Sequence, residues 1–365
     1  MQIKEQNKAN GILTMHIKEF TTLPGVLESE ETLSTELDVA NWPRLSGHHR
    51  SWPMILSKGL KQHPVFLVAC GPNNKVVGYL PLSRVESPFF GKFLVSLPYL
   101  NSGGVWANDP SIARALVDRA VELADRFDVK HLELRHEIPL EHPKLTVSRT
   151  DKVHMRLELP PTAEELRKSY KSKLRSQIKK NSEHPFELLF GGRELLGDFY
   201  RVFATNMRDL GTPVYPEKLF RSILEIFGPL QAELVVVRLA SRPIAAALLV
   251  HQDLTTHVPS ASSLRAWNTT GANLWMYSKL LERAIEKKSQ RFDFGRSTVA
   301  SGTYKFKEQW GARSYPAVWQ YYVRKGDPAT MRPDSPKKQK LIQAWKKLPV
   351  WLSKILGPPI VRGIP

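Results

Sequence analysis

The chain has 365 residues, of which 42% are hydrophobic and 24% charged, so it is globular and long enough for two domains of ordinary size. Its formal net charge of +18 favours anionic partners such as nucleic acid, nucleotide phosphates or an acidic lipid surface, with an unspecialised basic surface as the alternative. The single cysteine, Cys70, excludes a disulfide framework within the chain and a cysteine-rich zinc site.

The N-terminal residues, MQIKEQNKANG, lack the apolar segment that is typical of a signal peptide. No apolar run in the sequence approaches the roughly 20 residues that a helix needs to span a bilayer. We therefore expect a cytoplasmic protein, with the inner face of the membrane as a further site.

The first half predicts a hairpin, a helix and a strand. Residues 65–85, VFLVACGPNNKVVGYLPLSRV, are typical of two strands around a GPNN turn. The segment 109–127 predicts a helix, because Asp109 is a suitable N-cap and Pro110 fits the first turn. The apolar residues of this segment recur at helical spacing, namely Ile112, Leu116, Ala120 and Leu123. The strand KHLELRH follows the helix.

The same order of elements recurs in the second half. Residues 233–250 predict two strands around an ASRP turn, and residues 271–288 predict an amphipathic helix. One side of that helix carries Leu274, Tyr277, Leu281 and Ile285. The strand RFDFG follows. The repeated order indicates a tandem duplication, although two ordinary α/β segments can share it by chance.

A basic segment, assigned to residues 160–184, connects the two halves. Its helix-like middle, LRKSYKSKLRSQIKKN, contains no acid and seven basic residues: Arg167, Lys168, Lys171, Lys173, Arg175, Lys179 and Lys180. Like charges four residues apart destabilise a helix. The segment therefore predicts either an anionic partner or a solvated connecting helix.

The stretch FDFGRSTVASGTYKFKEQWGA, residues 292–312, is the densest in charged, aromatic and glycine residues. Alternation in FDF predicts that Phe292 and Phe294 face the core and Asp293 the other side. A structural interpretation of Asp293 is an ion pair with Arg296 that holds the loop in place. The functional interpretation is that Asp293 acts as a base.

The second part of this stretch, YKFKEQW, also alternates. If it is extended, Lys305 and Lys307 point the same way, with Tyr304 on the opposite side. Together with Arg296, the two ammonium groups would form an anion pocket where ligands collect, at the carboxyl ends of strands. We therefore predict that Arg296, Lys305 and Lys307 converge on one cleft.

Signatures of other enzyme classes are not found. The DFG triplet is not accompanied by an HRD-type catalytic loop or a VAIK-type lysine, so a kinase is rejected. The sequence has no G-x-S-x-G elbow, Walker A loop or HExxH motif. The histidines have no metal-ligand spacing, and no metal site is predicted.

Residues 206–220, NMRDLGTPVYPEKLF, form a second polar cluster. Arg208 ends a helix-like run, Gly211 breaks it and Pro213 fixes an extended turn. Local rules favour an ordinary helix stop here.

The C-terminal tail, residues 326–365, is rich in proline and lysine. Its apolar face consists of Leu341, Trp345, Leu348, Trp351, Leu352 and Ile355, beside Lys346, Lys347 and Lys354. This pattern is typical of a membrane-surface helix and of a helix packed back on its own domain. Pro349 interrupts a continuous helix and favours packing on the protein.

Three stretches taken together, RDLGTPV, FDFGRST and GTYKFKEQWGA, resemble the Fem-like (FemAB-related) transferases, and in particular the subgroup associated with PEP-CTERM/exosortase systems and exopolysaccharide production. VVGYLPLSRVES, LVSLPYLNSGG, LELR and LPVWLSKILGPPIVR agree as well, so the resemblance covers nearly the whole chain. It implies an α/β (α+β) fold of two tandem GNAT-like acyltransferase domains, with mixed sheets flanked by helices. We assign these domains to residues 11–155 and 185–325.

The resemblance also implies transfer of an acyl or aminoacyl group onto an amine, in exopolysaccharide, cell-envelope or PEP-CTERM-associated biogenesis. The donor is expected to be acyl-CoA or aminoacyl-tRNA, with no permanently bound cofactor. The expected acceptor is an anionic small molecule or a lipid-linked saccharide. The long helical-hairpin arm of some relatives is missing, which weakens the case for tRNA.

The pyrophosphate loop of GNAT enzymes is represented only by NTTGAN, residues 268–273, where Gly271 and Asn273 would hold a phosphate at a helix start. Catalysis is assigned to Lys305, as an oxyanion donor, and to Asp293. Substrate binding is assigned to Arg296, Lys307, Tyr304, Trp310 and Arg208, with Tyr304 and Trp310 as core aromatics in the alternative interpretation.

Three rival functions stay open. The first is an ordinary acyl-CoA-dependent N-acetyltransferase of the same fold. The second is a non-catalytic module that the basic helix and the tail recruit to membrane-bound polymer machinery. The third is a nucleic-acid-binding module, which charge alone would make non-specific.

Overall fold

The computed structural model describes residues 15–21, 45–107, 109–327 and 336–365. Contacts divide the chain into two compact units. Of the described residues, those up to residue 150 together with 317–327 and 362–365 form the first unit, and residues 151–316 and 336–361 form the second. The predicted first domain begins at residue 11, and its first four residues lie outside the described part of the chain.

The first unit is built on a mixed eight-stranded sheet. Numbered along the chain, its strands are β1 His16–Phe20, β2 His63–Cys70, β3 Val76–Ser87, β4 Gly91–Val95, β5 Trp106–Ala107, β6 His131–His136, β7 Val147–Arg149 and β15 Val318–Val323. Their order in the sheet is β1-β2-β3-β4-β6-β15-β7, with β5 paired to β3. Strands β4 and β6 are parallel. The helices of this unit are α1 Ser51–Leu60 and α2 Pro110–Arg126.

Helix α2 forms for the reasons that its sequence indicates. The side chain of Asp109 accepts a hydrogen bond from the backbone N–H of Ser111, and Pro110 occupies the first turn. Leu116, Ala120 and Leu123 are fully buried, and the helix packs on β2 and β3. The helical periodicity predicted from the sequence is thus confirmed.

The second unit is built on a mixed seven-stranded sheet. Its strands are β8 Lys152–Glu158, β9 Glu187–Gly191, β10 Ala232–Leu239, β11 Arg242–Gln252, β12 Thr255–Ser263, β13 Arg291–Thr298 and β14 Arg313–Pro316. Their order is β14-β8-β13-β12-β11-β10-β9, and only β12 and β13 run parallel among these pairs. The helices that continue the chain are α3 Ala163–Ser169, α4 Ser172–Asn181, α5 Leu196–Leu210, α6 Glu217–Gln231, α7 Ala272–Glu286, α8 Gly302–Glu308, α9 Pro336–Lys346 and α10 Val350–Arg362.

The two halves share the predicted order of elements. Strands β2 and β3 form the first predicted hairpin, and β10 and β11 form the second. In each half a helix, α2 or α7, is followed by a strand, β6 or β13, that pairs in parallel with an earlier strand of the same sheet. The α/β class with two mixed sheets flanked by helices is confirmed.

The domain boundaries differ from the predicted ones at both ends of the second half. Strand β15 lies within the predicted second domain, yet it pairs with β6 and β7 of the first sheet. Strand β8 begins within the predicted first domain, which ends at residue 155, yet it pairs with β13 and β14 of the second sheet. The sheet to which β8 or β15 belongs is decided by pairing with strands distant in sequence, which local sequence patterns do not reveal.

The basic segment is not one connecting helix. It forms α3 and α4, because the backbone of Tyr170 is extended (φ −69°, ψ 140°) and ends the first helix. Leu166, Tyr170 and Leu174 are buried in the core of the second unit together with α7. Arg167 pairs with Glu282, with the Nη1 and Oε1 atoms 2.8 Å apart. Apolar contacts and this acid partner offset the repulsion between like charges.

The C-terminal helices dock on the second unit through small residues. Gly357 of α10 leaves no space for a side chain, since a Cβ atom would lie 2.6 Å from the backbone nitrogen of Val214. We expect Gly357→Ala to lower the free energy of unfolding by about 1–3 kcal/mol, because the helix must move away. Gly197 in α5 has no atom within 4 Å of such a Cβ. We expect Gly197→Ala to raise stability by about 0.5–1 kcal/mol through helix propensity.

Urea denaturation of the two variants checks these opposite signs. A Gly357→Ala protein with an unchanged unfolding midpoint would contradict the docking of α10 on Val214.

Candidate functional site

The parallel strands β12 and β13 separate partway along their length. Their register pairs Thr255 with Arg291, Thr256 with Phe292 and His257 with Asp293, and it ends there. Both strands continue beyond this point, to residues 263 and 298. In the described part of the chain, no further pairing joins them. The carboxyl ends of the two strands therefore present backbone N–H and C=O groups between diverging edges.

A β-bulge in β13 lies where the strands separate. The register of β13 against β8 shifts between Asp293 and Arg296. Gly295, inside the bulge, has a φ of +75°, which glycine adopts without strain. The bulge turns backbone groups of β13 away from the ladder and makes them available to side chains.

Asp293 is the buried anion of this region. Its side-chain Oδ2 lies 2.9 Å from Nε of Arg156, and its Oδ1 accepts a hydrogen bond of 2.7 Å from the backbone N–H of Gly295. His257 Nδ1 lies 3.8 Å from Oδ2. The carboxylate thus fixes both β8 and the bulge.

The charge state of Asp293 follows from these partners. Burial alone would raise the pKa of Asp293, but the charge of Arg156, with smaller contributions from His257, His154 and the Arg156 hydrogen bond, outweighs burial and lowers the pKa to about 2. Burial lowers the pKa of His257, so the charge that persists near neutral pH is that of Arg156. An ionised, ion-paired carboxylate with so low a pKa is a poor proton acceptor.

Lys307 is the buried base of the same region. Its Nζ donates hydrogen bonds to the backbone carbonyls of Gly295, at 3.2 Å, and Arg296, at 3.1 Å. The residue is 8% exposed. Burial lowers the pKa of Lys307 to about 8, and the nearby Asp293 charge limits the fall. Near that pH both the ammonium and the neutral amine are present.

Two hydrogen bonds to carbonyls leave the Lys307 nitrogen with one further site: a lone pair in the neutral amine, or a third N–H in the ammonium form. A neutral amine has two N–H groups and one lone pair. With both N–H groups directed to the two carbonyls, the lone pair can accept a proton. In the ammonium form the third N–H can donate to a developing negative charge. The region thus contains a buried amine with a lowered pKa and a carboxylate that stays ionised.

The predicted convergence of three basic residues is only partly present. YKFKEQW is helical rather than extended, because the side chain of Ser301 accepts a hydrogen bond from the backbone N–H of Tyr304 and begins α8. Residues two apart on a helix point in roughly opposite directions. Lys305 is accordingly exposed while Lys307 is buried, and Arg296 contributes its carbonyl oxygen to Lys307.

Three further predicted site residues, Trp310, Tyr304 and Arg208, make contacts with the core or with the tail. Trp310 is buried in the core of the second unit, with its ring centroid 5.4 Å from that of Tyr170, and Tyr304 packs against the same core. Arg208 binds Asp209, with Nε and Oδ1 2.6 Å apart, and donates from Nη1 to the carbonyl of Leu348 at 2.7 Å. These contacts give Trp310 a core role and Arg208 a role in holding the tail.

The predicted phosphate site at the start of α7 is packed against α4. Gly271 has a φ of +67°, and Nδ2 of Asn181 donates to its carbonyl oxygen at 3.2 Å. A Cβ atom at residue 271 would collide with the Asn181 amide. Gly271 therefore allows α4 to approach α7 closely. Asn273 follows in the first turn of α7 and is half-buried.

Arg156 and His257 were not identified from the sequence. In KVHMRLE, residues 152–158, polar His154 and Arg156 alternate with buried Met155, a pattern that places two basic side chains on one face of a strand. That signal was present. It does not reveal the partner, because Asp293 is 137 residues away from Arg156.

The corresponding separation in the first unit is closed by the chain itself. The parallel pairing of β4 with β6 ends at Val95 and Glu133. Beyond it the backbone N–H of Ser96 donates to the Glu133 carbonyl, and the N–H of Arg135 donates to the Ser96 hydroxyl oxygen at 2.7 Å. The Arg135 side chain is 3% exposed and donates to the carbonyl of Leu97 at 3.3 Å. In the first unit, the chain's own groups thus form hydrogen bonds beyond the end of the parallel pairing.

Comparisons with known proteins place this geometry in a fold class. Residues 168–308 match the family model described as an acetyltransferase (GNAT) domain. The match includes α7, β13 and Lys307. No curated protein matches the sequence.

Solved structures give the same class over most of the chain. A crystal structure of FemX has a TM-score of 0.59 at 13% identity and covers 90% of this chain and 100% of its own. A tandem GNAT protein from the clavulanic acid biosynthesis pathway has a TM-score of 0.55 at 12% identity, with 86% and 100% covered. L-PGS from Bacillus licheniformis has a TM-score of 0.53 at 10% identity, with 91% and 100% covered. At these identities the likeness concerns the fold, which is that of two tandem GNAT-like units.

Proposed function

We propose that the protein is an acyl or aminoacyl transferase that forms an amide on an amine acceptor, with the reaction at the diverging ends of β12 and β13. The observation that carries the proposal is the buried Lys307 amine, bonded to the bulge where the parallel pairing ends. The GNAT match over residues 168–308 supports this choice of unit.

The diverging strands suit an extended donor that contains amide groups. Such a chain can complete the interrupted ladder by pairing with the backbone of either strand, as peptides do when they add to a sheet edge. The amide-bearing arm of acyl-CoA has this form. Aminoacyl-tRNA is the other donor that we propose to test, with the exposed Lys173, Lys179 and Lys180 of α4 as candidate contacts for its phosphates.

The chemistry moves one proton from the attacking amine to the leaving group, in two transfers through Lys307. The neutral amine of the acceptor attacks the carbonyl carbon of a thioester or ester, and a C–N bond forms as the carbonyl oxygen becomes an oxyanion. The attacking nitrogen loses a proton to the lone pair of neutral Lys307. The C–S or C–O bond then breaks, and the departing thiolate or alkoxide takes a proton from the Lys307 ammonium.

The acceptor and its biological setting rest on the sequence resemblance. FDFGRST and GTYKFKEQWGA resemble the Fem-like subgroup associated with PEP-CTERM systems and exopolysaccharide production. We therefore propose an amine on a cell-envelope or exopolysaccharide precursor, an anionic or lipid-linked saccharide, as the acceptor class. The net charge of +18 suits such an anion.

Amide formation from each donor tests the proposal. Purified protein is incubated with acetyl-CoA or with aminoacyl-tRNA and an amino-sugar acceptor, at about 150 mM salt, where loose charge attraction is largely screened. We expect transfer from one donor, and saturable binding of that donor by Trp fluorescence. Aminoacyl-tRNA must bind more tightly than uncharged tRNA to count as a donor. Binding of neither donor, with no amide product, would overturn the proposal in favour of a non-catalytic module.

A further inference from the structure

Helix α10 buries its small residues and exposes its large apolar ones. Ser353, Gly357 and Val361 recur every four residues and are buried. Trp351 and Ile355 are also four residues apart, and they are 64% and 61% exposed. A helix that only stabilised its own domain would direct its tryptophan and isoleucine inwards. The outward face of α10 is therefore a candidate contact surface.

Contacts with the second unit fix this orientation. Gly357 packs directly on the backbone of Val214, and Arg208 holds the carbonyl of Leu348 just before α10 begins. Nζ of Lys354 lies 5.0 Å from the centroid of the Tyr200 ring, so the lysine packs on an aromatic face. The helix cannot rotate to bury Trp351 without breaking these contacts. The packing of α10 on the second unit therefore fixes Trp351 and Ile355 on its exposed face.

The charge around this face has one sign. Residues 336–365 contain six Lys and one Arg but no Asp or Glu. Lys340, Lys347 and Lys354 are exposed. Leu341 of α9 adds a further apolar side chain that is 69% exposed. We call the exposed side chains of Leu341, Trp351 and Ile355, together with those of Lys340 and Lys347, the tail surface.

We propose that the tail surface binds an anionic phospholipid bilayer, with Trp351 and Ile355 inserted at the headgroup level and Lys340 and Lys347 on lipid phosphates. Exposed apolar residues beside lysines are the composition of interfacial helices. Lysines close to an anionic bilayer add electrostatic attraction to the apolar insertion. A second copy of this chain would instead bring like charges together. This inference is independent of the proposed transferase activity.

Within the described residues, no helix has the length and apolar character to cross a bilayer. A bilayer contact through the tail surface therefore concerns insertion at the headgroup level by α9 and α10.

Vesicle sedimentation tests the inference with the full chain. The vesicles contain phosphatidylcholine alone, or phosphatidylcholine with phosphatidylglycerol at about 3:1. We expect binding to the anionic vesicles that weakens as salt rises from about 50 to 500 mM. The pair Trp351→Ser/Ile355→Ser should lower the partition coefficient about tenfold or more, because two large apolar side chains no longer leave water. Lys340→Gln/Lys347→Gln should weaken binding to anionic vesicles selectively.

Matched controls distinguish binding through the tail surface from nonspecific binding through other exposed apolar or basic residues. Leu230 of α6 is 81% exposed in the same unit, and Leu230→Ser should leave binding unchanged. Lys58→Gln/Lys61→Gln in the first unit removes the same charge as the tail pair and should have a smaller effect. Trp351→Phe should keep sedimentation but lose fluorescence quenching by brominated lipid, which locates the tryptophan in the bilayer.

Three results would overturn the inference. The first is equal binding of the Trp351→Ser/Ile355→Ser variant and the unmodified protein. The second is equal binding to vesicles with and without phosphatidylglycerol. The third is concentration-dependent self-association in the absence of vesicles that Trp351→Ser/Ile355→Ser abolishes, which would assign the surface to a second copy.

Discussion

Replacing Lys307 by methionine is expected to lower kcat/KM for amide formation by about 10²–10⁴-fold, the usual contribution of a positioned acid–base group. Methionine keeps the length and the apolar stem of lysine but cannot carry a proton. The hydrogen bonds to the carbonyls of Gly295 and Arg296 are lost as well. The neighbouring Lys305→Met provides a matched control, since Lys305 lies on the same helix but is exposed. We expect its kcat/KM to stay within a few-fold of the unmodified enzyme.

The pH dependence separates a proton carrier from a purely structural lysine. Because burial lowers the pKa of Lys307 to about 8, the neutral amine accumulates above that pH, and kcat/KM should rise with pH through an apparent pKa near 8. The rise of kcat/KM with pH should be missing in Lys307→Met. An unchanged rise in that variant would assign the titration to another group. An equal loss of kcat/KM in Lys305→Met would contradict the site.

Stability gives a second readout for the same lysine. Its pKa is about 8 in the folded protein against 10.5 for an ordinary lysine, so the unfolded chain binds more protons between these values. The free energy of unfolding therefore rises with pH in this window for the unmodified protein relative to Lys307→Met. Denaturation at pH 7.5 and 10 measures the difference without any substrate.

Local patterns predicted most elements of the fold because the residues that form them are close in sequence. Asp109 and Pro110 begin α2, and the GPNN turn joins β2 to β3. YKFKEQW was misassigned because its alternation of polar and apolar residues suits a strand. The cap by Ser301, three residues before Tyr304, was the competing signal, and it decides the conformation.

The candidate site was predicted in part for the same reason. The sequence located Asp293, Arg296 and Lys307 in one segment, and the structure brings Lys307 to the carbonyl of Arg296. It could not supply Arg156, which reaches Asp293 only because β8 pairs with β13. Residues close in sequence form the bulge in β13, whereas the counter-charge of Asp293 comes from Arg156 on a strand that is distant in sequence.

The two units differ at the carboxyl end of their parallel strand pair. In both sheets the register of the parallel pair ends while at least one of the two strands continues. In the first unit the buried Arg135 and the chain after Val95 occupy that end and satisfy its backbone groups. In the second unit a titratable lysine is held there. This contrast explains why we place the chemistry in the second unit and give the first unit's counterpart a structural role.

Arg156→Met is expected to lower the free energy of unfolding at pH 7 by about 3–5 kcal/mol, because it leaves the buried Asp293 carboxylate without its main counter-charge. Arg313→Met is the matched control. Arg313 is the backbone partner of Arg156 on β14 and is exposed, so its loss should cost less than about 0.5 kcal/mol. Asp293→Asn in the Arg156→Met background should restore part of the stability, since no buried charge then remains.

The sign of the pH dependence distinguishes the Asp293–Arg156 ion pair from simple packing. In the unmodified protein the pKa of Asp293 is lowered from 3.8 to about 2, so the stabilisation by the pair is present above pH 3.8 and is lost as pH falls toward 2. Without Arg156, burial should raise the pKa of Asp293 above its unfolded value. The carboxylate then destabilises the folded state as pH rises through that raised pKa. Urea denaturation should therefore show a smaller gap between Arg156→Met and the unmodified protein at pH 4.5 than at pH 7. A gap that is independent of pH would mean that Arg156 stabilises the sheet through its packing against Tyr315, whose ring centroid lies 5.3 Å from the guanidinium, and that the charge of Asp293 is balanced by other groups.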